Sequence, residues 1–245
     1  DVARRAAAGL EQHLAEHHEA IAALIVEPLV QGAGGMVMYD PEYLRLARLL
    51  CDRYRIHLIA DEIMVGFGRT GTLFAHEQAA IRPDFLCLSK GLTGGYLPLS
   101  VVLTTDSVYA TFYDDAVMRG FLHSHSYTGN PLACRAALAT LGIFADDNVL
   151  ERNRRFAERF TALLQPLANH FQARHFRHTG MIWAVDIATE DSDFRLRFYR
   201  EALNREVLLR PLGTTLYFMP PYILNDDEAA LLAERAAEAL KAALA

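Results

Sequence analysis

Lysine is scarce in this sequence: of 24 basic residues only two, Lys90 and Lys241, are lysines. Positive charge is also in deficit, since the formal net charge is −6, which argues against nucleic acid as a partner. Three cysteines are too few and too far apart for a disulfide framework. No apolar run reaches the roughly 18 residues of a membrane span, and the N-terminus has an amphipathic helix pattern rather than a signal peptide. We therefore expect a cytoplasmic globular protein with neither nucleic acid nor membrane as a partner.

Short apolar runs alternate with longer amphipathic ones from residue 22 onward. The pattern predicts strands at 22–30, 56–63, 84–89 and 99–105, with helices at 41–54, 73–80 and 130–144 between and after them. Continuous apolar strands separated by helices are typical of a largely parallel sheet covered on both faces. The first 150 residues are therefore predicted to be α/β.

The pattern changes in the last third of the chain, after a helical run that reaches about residue 170. Strand-like runs at 177–187, 207–213 and 215–223 alternate with helices near 193–206 and 226–244. This indicates an α+β unit, and we place the domain boundary near residue 150, so that the domains are 1–150 and 151–245.

Lys90 stands at the end of an apolar run, and Asp61 ends the strand one strand–helix–strand unit earlier. Ligands of open α/β sheets lie outside the carboxyl ends of the strands, so both side chains can reach one edge. Apolar surroundings favour the neutral, nucleophilic form of a lysine amine, and a carboxylate nearby can hold a protonated heteroaromatic nitrogen. Pyridoxal 5'-phosphate requires both groups. From spacing alone, a buried Lys–Asp salt bridge remains the alternative.

Four ordered motifs surround these two residues: VEPLVQGAGGM (26–36), LIADEIMVGFGRTG (58–71), LCLSKGLTGGYLPLS (86–100) and HSHSYTGNPLACRAALATL (123–141). In order and spacing they resemble the class III (subgroup II) aminotransferases, which are pyridoxal-phosphate enzymes of fold type I. The resemblance covers the chain from residue 22 onward. It implies that 1–150 are part of the large cofactor-binding domain with a mainly parallel sheet, and that 151–245 are the C-terminal α+β small domain.

Within that family the chain most resembles the members that act in biotin synthesis, through VQGAGGM and LRPLGTTLYFMPPYI (209–223). Met64 supports this, because ornithine- and GABA-type relatives usually have glutamine there. The resemblance implies amino transfer to 8-amino-7-oxononanoate, giving 7,8-diaminononanoate in two half-reactions. The expected amine donor is S-adenosylmethionine, with lysine as the alternative. The other readings are a different class III enzyme (an ornithine-, GABA- or diamine-type aminotransferase, or an aminomutase) and an inactive fragment that keeps only the scaffold.

The resemblance assigns roles at the cofactor residue by residue. Lys90 holds the cofactor covalently and shuttles the proton of the reaction, and Asp61 pairs with the pyridine nitrogen. Ile63 packs on one face of the ring, unless it is a plain core residue. Ser126 stands where the family usually has a threonine that binds the cofactor phosphate of the neighbouring subunit, beside Ser124 and His125. The active unit is therefore expected to be a homodimer with shared sites.

The resemblance also assigns the substrate side. Arg210 matches the arginine that grips the substrate carboxylate, a task that suits its bidentate fork, and Tyr217 lines the site near it. Lys90 and Ser124 complete the expected substrate contacts. Glu27 is expected to position loops beside the site.

Two other interpretations are set aside. His123 and His125 could serve as metal ligands on one strand face, but no suitable third ligand is close in sequence, so we predict no metal. GFGRTG (66–71) lacks the strand and spacing of a dinucleotide fingerprint, and Arg69 is expected to order a loop or a dimer contact.

In the family a large segment precedes the VEP motif. It carries the phosphate loop within the subunit, the aromatic residue that stacks on the ring and the aromatic wall of the substrate pocket. We therefore expect this chain to be the C-terminal part of a longer protein, and the activity of the chain alone stays open.

Overall fold

The structure is a computed structural model that describes all 245 residues, Asp1–Ala245. Its helices are α1 (Val2–His17), α2 (Pro41–Tyr54), α3 (Asp106–Phe112), α4 (Pro131–Asp146), α5 (Val149–Leu163), α6 (Gln165–Ala168), α7 (Phe194–Asn204) and α8 (Asp226–Leu244). Its strands are β1 (Ala23–Val26), β2 (Val30–Gln31), β3 (Val37–Met38), β4 (His57–Asp61), β5 (Phe85–Leu88), β6 (Val101–Thr104), β7 (Ala173–Thr179), β8 (Ile182–Ile187) and β9 (Thr215–Phe218). No helix is both long enough and apolar enough to pass through a lipid bilayer.

The chain forms two compact units. The first unit contains Asp1–Leu29, Tyr39–Phe67 and Thr72–Asp147, and the second contains Val30–Met38, Gly68–Gly71 and Asn148–Ala245. Two short segments from the first half of the chain therefore fold with the C-terminal unit.

The sheet of the first unit has the strand order β1-β4-β5-β6. β1, β4 and β5 are parallel, which confirms the mainly parallel sheet. β6 is antiparallel to β5, because the chain between them turns back through a short 3₁₀ helix, Lys90–Thr93, without a crossover helix. The expected covering of both faces is wrong at this edge: Val102 and Leu103 are 60% and 52% exposed.

Helix α2 illustrates how local sequence defines an element of this unit. The Asp40 side chain accepts a hydrogen bond from the Glu42 backbone N–H at 2.8 Å, and Pro41 occupies the first helical position. The helix ends at Arg55, which adopts the left-handed conformation with φ 56°. The predicted helix at 41–54 is confirmed, and its buried face packs with Leu14 and Leu58.

The sheet of the second unit is antiparallel, in the order β7-β8-β9, over a core around Trp183, Phe160 and Phe194. The single strand predicted at 177–187 is wrong, since the chain turns at Gly180 (φ 56°). A Cβ at Gly180 would lie 2.4–2.6 Å from backbone atoms of residues 69–71, so only glycine allows this approach. The strand-like run at 207–213 forms only an isolated bridge, Leu212 to Thr215.

A glycine-rich hairpin, β2–β3, belongs to this second unit and was not predicted. Arg177 holds it: Nε donates to the Met36 carbonyl at 2.8 Å and Nη2 to the Gly35 carbonyl at 2.7 Å. The same guanidinium makes a bidentate pair with Asp186, at 2.9 and 3.0 Å. The pKa of Asp186 lies below its ordinary value, because the hydrogen bonds from Arg177 and Thr215 outweigh the opposing effect of burial.

Candidate active site

Two parallel strands bring the predicted lysine and aspartate to one edge of the sheet. Asp61 is the last residue of β4 and is the register partner of Cys87 in β5. The ladder continues one step further, because the Glu62 N–H donates to the Cys87 carbonyl at 3.0 Å. Lys90 begins the 3₁₀ helix that follows β5. Both side chains therefore start from adjacent carboxyl ends, where ligands of open α/β sheets bind.

Asp61 is half-buried and has little to bind within the chain. Its Oδ1 accepts a hydrogen bond from the Ile63 N–H at 3.1 Å, and Oδ2 has no hydrogen-bond partner. No ion pair joins Asp61 to Lys90, so the alternative of a buried Lys–Asp salt bridge is wrong. An acceptor oxygen thus remains for an N–H donor from outside the chain.

Lys90 is exposed, so the expectation that apolar residues enclose it is wrong for this chain. Residues that would cover it have to come from outside the chain. Its φ of 44° lies in the left-handed region, a conformation that costs a non-glycine residue about 1–3 kcal/mol. The flanking residues hold this geometry: Ser89 Oγ donates to the Leu99 carbonyl at 2.7 Å, and a Cβ at Gly91 would lie 3.0 Å from the Phe67 ring. Strain of this kind is typical of functional positions.

Glu62 is a residue that the sequence analysis did not single out. Its side chain is fully buried, and its carboxylate lies within hydrogen-bond distance of three nitrogen atoms. Oε2 accepts from the Ala75 N–H at 2.7 Å, and Oε1 lies 2.8 Å from the His76 backbone nitrogen and 2.7 Å from His76 Nδ1. The sequence offers no signal for this network, because the partners lie a full loop away along the chain.

The predicted phosphate loop lies on the surface of the first unit. Ser124, His125 and Ser126 are all exposed. His125 stabilises a turn, since its N–H donates to Thr128 Oγ1 at 3.0 Å and its Nδ1 accepts from the Tyr127 N–H at 3.1 Å. The hydroxyls of Ser124 and Ser126 make no hydrogen bond, and nothing in the loop bonds to Asp61 or Lys90. The structure therefore groups the three loop residues but does not join them to the lysine within the chain.

Two of the predicted substrate residues, Arg210 and Tyr217, lie in the second unit, in an open cleft of about 520 Å³, whereas Lys90 and Ser124 belong to the first unit. Arg210 lines the cleft, is exposed, and has no hydrogen-bond or ion-pair partner. Tyr217 lies beside it on β9, where it pairs with Ala184 of β8. The remaining walls are mostly apolar, from Leu208, Leu209, Phe218, Met219, Pro220, Pro221, Leu224 and Leu232, with Tyr199. An unpaired guanidinium among apolar walls is suited to bind a carboxylate.

Arg69, which also belongs to the second unit, contacts Pro220 in the wall of the cleft and the ring of Tyr222. Its Nη1 donates to the Pro220 carbonyl at 2.7 Å, and its guanidinium lies 4.5 Å from the centre of the Tyr222 ring. Burial raises the pKa of the Tyr222 phenol to about 12, against the opposing effect of the nearby Arg69 charge.

Comparison with known proteins decides the family. Residues 1–240 match the family model described as "Aminotransferase class-III". The chain belongs to this family. It is 47% identical over 225 residues to the adenosylmethionine-8-amino-7-oxononanoate aminotransferase of Helicobacter pylori, covering 89% of this chain and 52% of the relative. The enzyme of the same name from Synechococcus elongatus is 44% identical, with 91% and 53% covered. The class-III chain thus spans about half the length of the curated relatives it matches.

Solved structures confirm fold type I. The adenosylmethionine-8-amino-7-oxononanoate aminotransferase of Methanocaldococcus jannaschii matches with a TM-score of 0.89 at 31% identity, over 94% of this chain and 56% of that one. An omega transaminase from Pseudomonas jessenii, solved in complex with PMP, matches with a TM-score of 0.91 at 31% identity, over 98% and 55%. The predicted family and fold are therefore confirmed.

The residues of this class-III chain fit two ends of pyridoxal 5'-phosphate. The unpartnered Asp61 oxygen suits a protonated ring nitrogen, and the unpaired Lys90 amine suits the aldehyde carbon. Ile63 is half-buried directly beyond the aspartate, and its role on the ring face stays a prediction.

Proposed function

We propose that this protein is a pyridoxal-phosphate-dependent aminotransferase that converts 8-amino-7-oxononanoate to 7,8-diaminononanoate in biotin synthesis. The observation that carries the proposal is the pair of partner-free groups, Lys90 and Asp61 Oδ2, at adjacent parallel strand ends. The names of the relatives at 47% and 44% identity support the substrate. The chain covers about half of those relatives, so the activity is assigned to the complete gene product that contains it.

The residues of the chain divide the work at the cofactor. Pyridoxal 5'-phosphate, when bound, supplies an electron sink for the amino transfer. Asp61 accepts the ring N–H and keeps that nitrogen protonated. Lys90 holds the cofactor and then moves the proton to and from the substrate carbon, and its amine makes no ion pair within the chain that would hold it elsewhere. Ile63 limits the movement of the ring on one face.

The function is tested by incubating the complete protein with 8-amino-7-oxononanoate and S-adenosylmethionine, with lysine as donor in a parallel reaction. Mass spectrometry should detect 7,8-diaminononanoate. We propose S-adenosylmethionine as the donor because the names of the matched relatives include it. Product with lysine alone would reassign the donor, and no product with either donor would contradict the substrate.

The alternative within the family has one observation in its favour, the TM-score of 0.91 to an omega transaminase. Such an enzyme would turn over simple amines and would not need the 8-amino-7-oxononanoate carboxylate. A scaffold without activity would instead lack the visible absorbance of a bound cofactor. Visible absorbance therefore distinguishes the inactive scaffold from an enzyme with bound cofactor. A screen of amine donors and acceptors then distinguishes the proposed enzyme from another aminotransferase of the family.

Arg210 should matter for the keto acid more than for an amine donor that lacks a carboxylate. We expect Arg210→Ala to raise the KM for 8-amino-7-oxononanoate about ten- to a hundredfold, because a charged hydrogen bond of about 1.5–3 kcal/mol is lost. A donor amine without a carboxylate should keep its KM. Steady-state kinetics with 8-amino-7-oxononanoate and a carboxylate-free amine donor varied in turn measure the difference, and Arg205→Ala, whose guanidinium pairs with Glu201, serves as the control. Equal effects on both substrates would remove Arg210 from the carboxylate site.

We also propose that the protein is a cytoplasmic homodimer with shared sites. The surface beside the phosphate loop is apolar and exposed: Tyr113 is 76%, Phe121 69%, Leu122 77% and Tyr127 76% exposed. Such a patch favours association with a second copy. The unbonded hydroxyl of Ser126 is then available to the phosphate of the partner subunit.

Mixing two inactive variants tests this sharing. Ser126→Asp places a carboxylate against the cofactor phosphate, and Lys90→Ala removes the amine. In a shared arrangement the mixed dimer carries both lesions in one site and leaves the other intact, so random exchange should restore about a quarter of wild-type activity. Native mass spectrometry confirms that subunits have exchanged. Full exchange without recovered activity would show that each site is built within one chain.

A further inference from the structure

Glu62 is the only fully buried charged side chain in this chain of 245 residues, and it directly follows Asp61. Burying a carboxylate is costly, and a well-packed apolar residue would often stabilise a fold as well or better. Here the cost is offset by two backbone N–H groups and the His76 ring, all within 2.7–2.8 Å. In the tautomer that carries its proton on Nδ1, the His76 ring donates to Glu62 Oε1.

The backbone of Glu62 is tied as firmly as its side chain. Its N–H donates to the Cys87 carbonyl at 3.0 Å, which extends the β4–β5 ladder beyond Asp61. Its carbonyl accepts from the Gly66 N–H at 2.9 Å, and a Cβ at Gly66 would lie 2.8 Å from that same carbonyl oxygen. Residue 62 is therefore held on three sides, immediately after the aspartate.

The anchored turn at Glu62 includes the N–H that binds the Asp61 carboxylate. Asp61 Oδ1 is engaged by the Ile63 N–H at 3.1 Å, and the direction of that N–H depends on the peptide planes on either side of Glu62. With Glu62 anchored, the Ile63 N–H keeps Oδ1 and leaves Oδ2 without a partner. If Glu62 came loose, the turn would be free to rotate, and Asp61 would lose its preferred orientation.

We propose that Glu62, locked by His76 and the Ala75 N–H, is a positioning residue that orients Asp61 towards the ring nitrogen of the cofactor. This inference rests on the proposed function and deepens it. The buried Glu62–His76 pair sets the orientation of the Asp61 carboxylate and does not itself contact the cofactor or the substrate.

The decisive variant is Glu62→Gln in the complete protein. Glutamine keeps the shape but has one acceptor oxygen, and its NH₂ faces a backbone N–H that it cannot bond. We expect affinity for pyridoxal 5'-phosphate, measured by fluorescence titration of the apoprotein, to fall about tenfold. We also expect the pH midpoint of the cofactor's visible absorbance to rise by about one unit. A positive ring nitrogen disfavours a second positive charge at the Lys90 nitrogen, so weaker retention of the ring proton favours protonation there.

Asp84→Asn is a matched control in the same unit. Asp84 accepts from Arg48 Nη1 at 2.7 Å and from the Leu58 N–H at 2.7 Å, but it precedes β5, at the opposite end of that strand from Lys90. In Asp84→Asn, the same change from carboxylate to amide should lower the melting temperature of the protein and leave the cofactor affinity and the absorbance midpoint unchanged.

His76 provides a second test that does not require Glu62 itself to change. His76→Ala removes one of the three hydrogen bonds and should shift affinity and midpoint in the same direction by a smaller amount. His76→Asn, whose amide nitrogen can occupy the place of Nδ1, should restore most of the wild-type values. If Glu62→Gln does not fold, the two His76 variants test whether the Glu62–His76 pair positions Asp61.

Each outcome has a definite meaning. If Glu62→Gln and His76→Ala lower the melting temperature as Asp84→Asn does, but leave affinity and midpoint at wild-type values, Glu62 only stabilises the fold and the proposal is overturned. If His76→Ala leaves both readouts unchanged in a protein whose Glu62→Gln variant is unfolded, the proposal is likewise overturned. Absence of a cofactor band from the wild type would instead contradict the proposed function, and this inference with it.

Discussion

Replacing Lys90 with alanine should abolish amino transfer, lowering kcat by about 10⁴-fold or more, because proton transfer by one positioned group alone contributes about 10²–10⁴-fold. The same side chain also holds the cofactor, so the variant should bind it only non-covalently. Borohydride reduction of the wild type, followed by peptide mapping, should place the cofactor on the peptide that contains Lys90. The variant should show no such adduct.

The composition supplies a matched control for this experiment. Lys241, the only other lysine in the chain, is exposed in the last turn of α8. Lys241→Ala should keep normal turnover and a normal adduct on Lys90. Normal amino transfer by Lys90→Ala would refute the mechanism, whereas an adduct on a different peptide would relocate the reactive lysine.

Replacing Asp61 with asparagine should lower kcat about a thousandfold with little effect on the fold. Asparagine keeps an oxygen that can accept the Ile63 N–H, so the local turn survives. The negative charge that would keep the ring nitrogen protonated is lost, and the ring then withdraws electrons less well. Single-turnover kinetics with bound cofactor measure the chemical step, and circular dichroism checks the fold.

Two comparisons sharpen the result for Asp61. Asp61→Glu keeps the negative charge but displaces it, so the kcat of this variant should lie between those of the wild type and Asp61→Asn. Asp84→Asn loses a carboxylate from the same sheet and should retain wild-type turnover, since Arg48 and the Leu58 N–H are its only close partners besides His57. Near-normal turnover by Asp61→Asn would reduce Asp61 to a structural acid.

The structural features that depend on residues close together in the sequence were predicted correctly. Helix α2 was correct to the residue, because Asp40 and Pro41 start it and its apolar spacing continues until the left-handed Arg55. The parallel strands β4 and β5 were predicted from continuous apolar runs. The same pattern placed Asp61 and Lys90 at one edge, since parallel strands share a carboxyl end.

Errors in the prediction arose where the decisive partner lies far along the chain. The turn at Gly180 depends on a close approach to residues 69–71, and the hairpin β2–β3 depends on Arg177, more than a hundred residues later. A local window contains the apolar periodicity but neither of these partners. The exposure of Lys90 was missed for a related reason, because an apolar run shows where a strand is buried and does not show whether the residue after it is covered.

By itself, the sequence predicted the family, the mainly parallel sheet, and the placing of one lysine and one aspartate at the same edge of that sheet. Only the tertiary structure decided that Asp61 keeps one oxygen without a partner, that Arg210 lines a cleft without a counter-ion, and that Glu62 is buried against Ala75 and His76. The physical reason is that motifs and apolar periodicity are properties of neighbouring residues. Hydrogen bonding and burial depend instead on which distant segments the fold brings together.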